Sequence, residues 1–133
     1  MPGTEEQVLK ILIVDDEAAI VEEVAECLAI QGYLCRQATS GGEAIEILDA
    51  EPDIALVITD LRMPGMSGEE LIARYRQRQG ALVKIIVVTG HGAVAAGFPD
   101  QDGMHVTHVL HKPVDVADLV RAVEEALSGR RDG

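Results

Sequence analysis

Four short stretches of this chain carry residues that could do chemistry together. Asp15-Asp16-Glu17 follows the apolar run "ILIV", Asp60 follows "LVIT", Thr89 follows "IIVV", and Lys112-Pro113 follows "HVLH". Three aspartates, a hydroxyl and an amine are the types involved. Two like unit charges about 4 Å apart repel by about 4 kcal/mol at an effective dielectric near 20. Asp15, Asp16 and Asp60 would therefore be costly neighbours unless something neutralised them. Lys112 supplies one positive charge. A divalent cation with oxygen ligands would supply the rest, and Mg2+ suits a few carboxylates, a carbonyl and retained waters. A carboxylate held this way can act as a nucleophile. Phosphoryl transfer in particular depends on positioning and charge neutralisation. The chemistry suggested is attack by the Asp60 carboxylate on phosphorus.

Those residues converge only if the runs before them are strands of one parallel sheet. The pattern favours that arrangement. Apolar strand-like runs at 9–14, 33–38, 53–59, 83–88 and 105–110 alternate with stretches of helical period. In residues 17–31, Ile20, Val21, Val24, Cys27 and Leu28 share one helical face, while Glu22, Glu23 and Glu26 lie opposite. Gly32 is a natural stop for that helix. Ser40 and Glu43 have capping-box spacing for a helix over 40–50. A third helix is expected from Gly68 to about Gln79. Asp115 is placed to cap a last helix over 115–128, with Asp118 in its first turn. Between them, 90–104 holds four glycines and Pro99. Any fourth helix there should be short or irregular, because proline cannot continue it.

Strands alternating with helices imply right-handed crossovers and a sheet covered on both faces. The expected fold is α/β: a three-layer, doubly wound, parallel five-stranded sheet of (βα)5 type. Ligands of such sheets bind at the carboxyl ends of the strands, where these residues fall. Residues 1–8 read as a disordered tail, 9–128 as the domain, and 129–133 as a tail or the start of a linker.

Composition agrees and excludes other classes. With 133 residues the chain is sized for one domain. Aromatics are only 2% of it, so Val, Ile, Leu and Ala must build the core. A net charge of −12 argues against direct binding to nucleic acid or an anionic membrane. No apolar run approaches the length of a membrane span and no signal peptide is evident, so the expected location is cytoplasmic. Cys27 and Cys35 read as small buried thiols of a reducing compartment.

Each residue has a plainer reading when taken singly. An acidic pair can complement a helix dipole. A strand-end aspartate can form a turn, Thr89 can be an ordinary β-branched residue, and Lys112 can lie along the surface. Pro113 can simply start the next segment. All of these together at one sheet edge make the weaker account. His105, His108 and His111 suggest a metal triad, but alternation along a strand puts His108 on the face opposite the other two. Met63 and Met66 read as loop packing or contact residues.

The segments "ILIVDDE", "VITDLRMPGMSG", "IIVVTGHG" and "LHKPV", in this order and spacing, resemble the receiver domain of two-component response regulators over about residues 9–128. The resemblance implies the flavodoxin-like strand order 2-1-3-4-5. It implies that Asp60 accepts a phosphoryl group from a histidine kinase or histidine phosphotransfer protein, with Mg2+ (or Mn2+) required. It implies that Asp16 binds the metal directly, that Asp15 helps hold it, and that Arg62 offers a backbone carbonyl. Thr89 corresponds to the switch hydroxyl and Lys112 to the lysine that bonds a phosphoryl oxygen. Pro113 follows it through a peptide that is cis in the family. Arg62 and His91 stand where the family tunes hydrolysis of the acyl phosphate. The resemblance further implies a regulatory protein rather than a conventional enzyme, acting as a monomer or phosphorylation-dependent dimer on an output domain or protein that the sequence does not identify.

Two features depart from the family pattern. Val109 occupies the usual aromatic switch position, and 92–104 lacks a regular fourth helix. Output through a different face, or through a helix that orders on activation, is the expectation. Two rival readings are weighed. A pseudo-receiver binding module is opposed by the intact set Asp15, Asp16, Asp60, Thr89 and Lys112. A haloacid-dehalogenase-like phosphatase expects a DxD nucleophile motif on the first strand, where Asp15 is followed two residues later by Glu17.

Overall fold

The structure, a computed structural model, describes residues 9–60, 63, 65, 70, 71, 73, 74, 84–90 and 106–128. Five strands, β1 (Lys10–Val14), β2 (Leu34–Ala38), β3 (Ile54–Asp60), β4 (Lys84–Thr89) and β5 (Val106–His111), form one sheet in the order β2-β1-β3-β4-β5. All neighbouring pairs are parallel. Three helices are described in full: α1 (Ala18–Ile30), α2 (Gly41–Ala50) and α3 (Val116–Ser128). Glu70, Leu71, Ala73 and Arg74 are also helical, inside the span expected for a third helix. The expected fourth helix over 92–104 lies outside the described residues.

The sheet is central because its strands alternate between two apolar layers. Leu12, Val14, Val57, Ile85 and Val87 pack with Ala44 and Leu48 of α2 and with Met63 and Leu71. Ile11, Ile13, Leu56, Ile58 and Ile86 pack on the other face with Leu28 of α1 and Leu119 and Val123 of α3. Strands buried on both faces must read as continuous apolar runs, which is why "ILIV" and "LVIT" carry no polar alternation. Burial of each large side chain contributes about 1.5–3 kcal/mol, so the two layers fix where the strands end.

Local signals end the elements. At the end of α1, Gly32 adopts φ 101°, and the amides of Gly32 and Tyr33 donate to the carbonyls of Ala29 and Leu28. This left-handed closure favours glycine. Ser40 accepts from the Glu43 amide at 3.1 Å, as a cap should. The reciprocal bond differs from the expected box. Glu43 Oε1 accepts from the amide of Thr39 at 2.9 Å, one residue before the cap. Asp115 caps α3 by accepting from the Ala117 amide at 2.9 Å. The end of α3 is held from the sheet, where Lys84 Nζ donates to the Ala126 carbonyl at 2.7 Å.

Candidate functional site

The carboxyl ends of β1, β3, β4 and β5 present Asp15, Asp60, Thr89 and Lys112. Asp15 is fixed from three directions. Its amide donates to the Ala38 carbonyl at 3.2 Å, carrying the β1–β2 pairing one residue past the strand. Its Oδ1 accepts from the Glu17 amide at 2.9 Å, closing a tight turn into α1. Its Oδ2 accepts from Lys112 Nζ at 2.9 Å. Asp60 Oδ2 accepts from the same amine at 2.9 Å.

Asp60 is the last residue of β3 itself, rather than the first residue after it, and is only 6% exposed. Asp15 is 4% exposed and Thr89 fully buried. Asp16, by contrast, faces solvent. One carboxylate oxygen from each of Asp15, Asp16 and Asp60 lies within 4.8 Å of the others. Lys112 is positioned by its main chain, since its amide donates to the Thr89 carbonyl at 2.8 Å. The Lys112–Pro113 peptide is cis.

The electrostatics follow from this geometry. Burial disfavours the charged Lys112 ammonium. The bonds to Asp15 and Asp60 outweigh that penalty and hold its pKa above the ordinary lysine value. Lys112 therefore stays protonated and offsets one charge of the acidic cluster. Two negative charges are left over among Asp15, Asp16 and Asp60. That all-oxygen set of carboxylates, one of them open to solvent, fits a hard divalent cation of the Mg2+ type.

A cavity of about 510 Å3 adjoins the cluster, and Asp60 and Lys112 line it with Val24 and Cys27 of α1 and Val116 and Leu119 of α3.

The structure brings Asp15, Asp16, Asp60, Thr89 and Lys112 to one sheet edge, and the peptide before Pro113 is cis. Arg62, His91, His105 and Met66 lie outside the described residues. Val109 packs partly buried against the α2-side layer, and Met63 is a packing residue of the same layer. His108 bonds Glu125 of α3 at 2.9 Å and Thr107 at 2.8 Å, while His111 is exposed. Cys27 and Cys35 are free but half-buried, a correction to the expectation of buried thiols.

Three groups that bond Asp15 or Asp60 escaped the sequence reading: the Glu17 amide, the Ala38 carbonyl and the Thr59 hydroxyl, which donates to the Asp60 carbonyl at 2.9 Å. Only Thr59 left a signal, as the lone hydroxyl in the apolar strand "IALVITD".

Comparison with known proteins places these features in context. The sequence profile of the response regulator receiver domain matches residues 11–124. The response regulator receiver protein CpdR of Brucella abortus is 36% identical over 118 residues, covering 89% of this chain and 96% of CpdR. The transcriptional regulatory proteins GlrR of Escherichia coli and FixJ of Azorhizobium caulinodans are also 36% identical, over 88% and 90% of this chain. The chain spans only 26% of GlrR and 55% of FixJ. Among solved structures, a response regulator receiver protein from Pseudomonas putida superposes with a TM-score of 0.79 at 35% identity, covering 90% of this chain and 98% of that one. The response regulator TrrA of Thermotoga maritima, solved in complex with Mg2+–BeF, superposes with a TM-score of 0.77 at 30% identity, covering 90% of this chain and all of TrrA. No helix among the described residues is long and apolar enough to cross a membrane.

Proposed function

The chain belongs to the response regulator receiver domain family of two-component systems, and from that premise we propose that it accepts a phosphoryl group on Asp60 from the phosphohistidine of a sensor kinase or histidine phosphotransfer protein. One observation carries this reading. The buried Asp60 carboxylate shares the Lys112 ammonium with Asp15, at 2.9 Å each, beside the exposed Asp16.

In the proposed transfer an oxygen of Asp60 attacks phosphorus. The phosphorus–nitrogen bond of the donor breaks, the imidazole departs with its electron pair, and an acyl phosphate remains on Asp60. Lys112 passes from Asp60 Oδ2 to an oxygen of the incoming group and balances its new charge. Mg2+, with Mn2+ as a substitute, would be held by Asp15, Asp16, Asp60 and the Arg62 carbonyl, and would supply positive charge against the phosphoryl oxygens. The Glu17 amide and Lys112 keep Asp15 oriented for that task. The Thr89 hydroxyl turns toward the phosphoryl group as the switch. Its main chain is already tied to Lys112.

Val109 brings no aromatic ring to this switch, so the signal leaves by a face other than the family's usual one. Arg62 and His91 tune the lifetime of the acyl phosphate, by shielding it from water or by bonding it. The domain over 9–128 helps catalyse its own phosphorylation and dephosphorylation and otherwise acts as a regulatory module in the cytoplasm. It works as a monomer or a phosphorylation-dependent dimer. The acidic chain does not itself bind nucleic acid.

Intact-mass spectrometry after incubation with acetyl phosphate tests the reading. Wild type should gain one phosphoryl group only with Mg2+, and Asp60→Asn should gain none. A wild type that gains nothing from acetyl phosphate or from a panel of phosphohistidine donors would overturn it.

A further inference from the structure

Thr59 stands at a position where valine would have nearly the same shape. It lies in the central strand β3, is fully buried, and pairs with Val14 on one side and Val87 on the other. A hydroxyl in such a place is not a neutral replacement for a methyl group, because burying it costs stability unless it is hydrogen-bonded. This hydroxyl is bonded, and its partner is informative. Thr59 Oγ1 donates to the carbonyl oxygen of Asp60 at 2.9 Å.

The bond acts on Asp60 through the main chain. Successive strand residues send their side chains to opposite faces, so Thr59 does not compete with Lys112 for the carboxylate. Instead it holds the Asp60 carbonyl oxygen. Asp60 ends β3. The hydroxyl thus fixes the carbonyl at the end of β3 relative to the carboxylate that Lys112 holds. Reacting groups misplaced by about 1 Å can slow a reaction about 100-fold, so a device that fixes this carbonyl has a clear use here.

We propose that Thr59 is a positioning residue for Asp60, acting through the Asp60 carbonyl on both cation binding and phosphoryl uptake. For its effect on phosphoryl uptake this inference rests on the receiver reading.

The test compares wild type with Thr59→Val, Thr59→Ser and Thr59→Ala. Folding is checked by circular dichroism, Mg2+ affinity is measured by calorimetry, and the rate of phosphoryl gain is followed against acetyl phosphate concentration. Thr59→Val should weaken Mg2+ binding about tenfold and lower the maximal rate about tenfold, leaving half-saturation by acetyl phosphate unchanged. Thr59→Ser should stay within about threefold of wild type in both. If Thr59→Val does not fold, the Ser and Ala variants still differ by the hydroxyl alone, and Ser should exceed Ala in both measurements. Equal values for folded Val and wild type, or for Ser and Ala, would overturn the proposal. A wild type that binds Mg2+ but gains no phosphoryl group from acetyl phosphate or from a panel of phosphohistidine donors would sink the receiver reading, and the Mg2+ comparison would still decide Thr59. A wild type that does neither would overturn both.

Discussion

Lys112 and Asp60, 52 residues apart in the chain, meet at 2.9 Å at the carboxyl edge of the sheet. The same amine lies 2.9 Å from Asp15. One cation thus holds two carboxylates that are 4% and 6% exposed. Replacing Lys112 by methionine keeps most of the packing and leaves both acids without that partner. Removing one member of a buried pair costs about 3–5 kcal/mol. The Lys112 side chain keeps 24% of its exposure, so a loss of about 2–3 kcal/mol is expected at neutral pH. Urea titration of Lys112→Met checks this, and added Mg2+ should recover part of the loss.

The stability that Lys112 contributes has a defined pH window. Its pKa is raised in the folded state above about 10.5. The contribution is therefore fully present below the unfolded value and is lost as pH rises through the folded one. The difference in unfolding free energy between wild type and Lys112→Met should be level from pH 7 to 9 and shrink in more alkaline solution. A difference that grew with pH there would contradict the pairing.

Asp16 should separate metal binding from stability. It is exposed, so Asp16→Asn should change unfolding free energy by no more than about 0.5 kcal/mol. Ligand binding raises stability by about 2.7 kcal/mol at 100 times the dissociation constant. Wild type is expected to gain melting temperature on adding Mg2+, and that gain should be largely absent from Asp16→Asn. Thermal scans with and without Mg2+ measure both effects.

Glu51 makes the opposite prediction at acid pH. The Arg36 guanidinium and then the Lys10 ammonium, at 2.8 Å and 3.0 Å, lower its pKa. Its contribution is present above the unfolded value and is lost as pH falls through the folded one. Glu51→Gln should be less stable than wild type at pH 7 and should converge with it as pH falls below the usual carboxylate range.

Cys35 should be a slow thiol. Burial pushes its pKa up to about 11. The thiolate is the reactive form, so alkylation of Cys35 at pH 8 should be at least about tenfold slower in the native protein than in guanidinium. Peptide mapping after timed iodoacetamide treatment reads the two states. Equal rates would contradict the burial.

Much of the molecule was legible in the sequence. The runs "ILIV", "LVIT" and "IIVV" had to be strands buried on both faces, because no other element buries short β-branched runs so evenly. Ser40, Asp115 and Gly32 marked helix ends through local bonds that need only near neighbours. The convergence of Asp15, Asp60, Thr89 and Lys112 was legible for the same reason, since a parallel sheet brings its strand ends to one edge.

The sequence by itself determined which elements form and which residue types end them, because those choices depend on periodicity and on contacts a few residues apart. Only the tertiary structure decided how the ends meet. That Lys112 bridges Asp15 and Asp60, that Asp15 spends its other oxygen on the Glu17 amide, and that Thr59 holds the Asp60 carbonyl are matters of angstroms between separate groups. Hydrogen bonds depend steeply on distance and angle. Those are fixed here by the packing of the whole sheet against its helices, a property no local stretch of the chain carries.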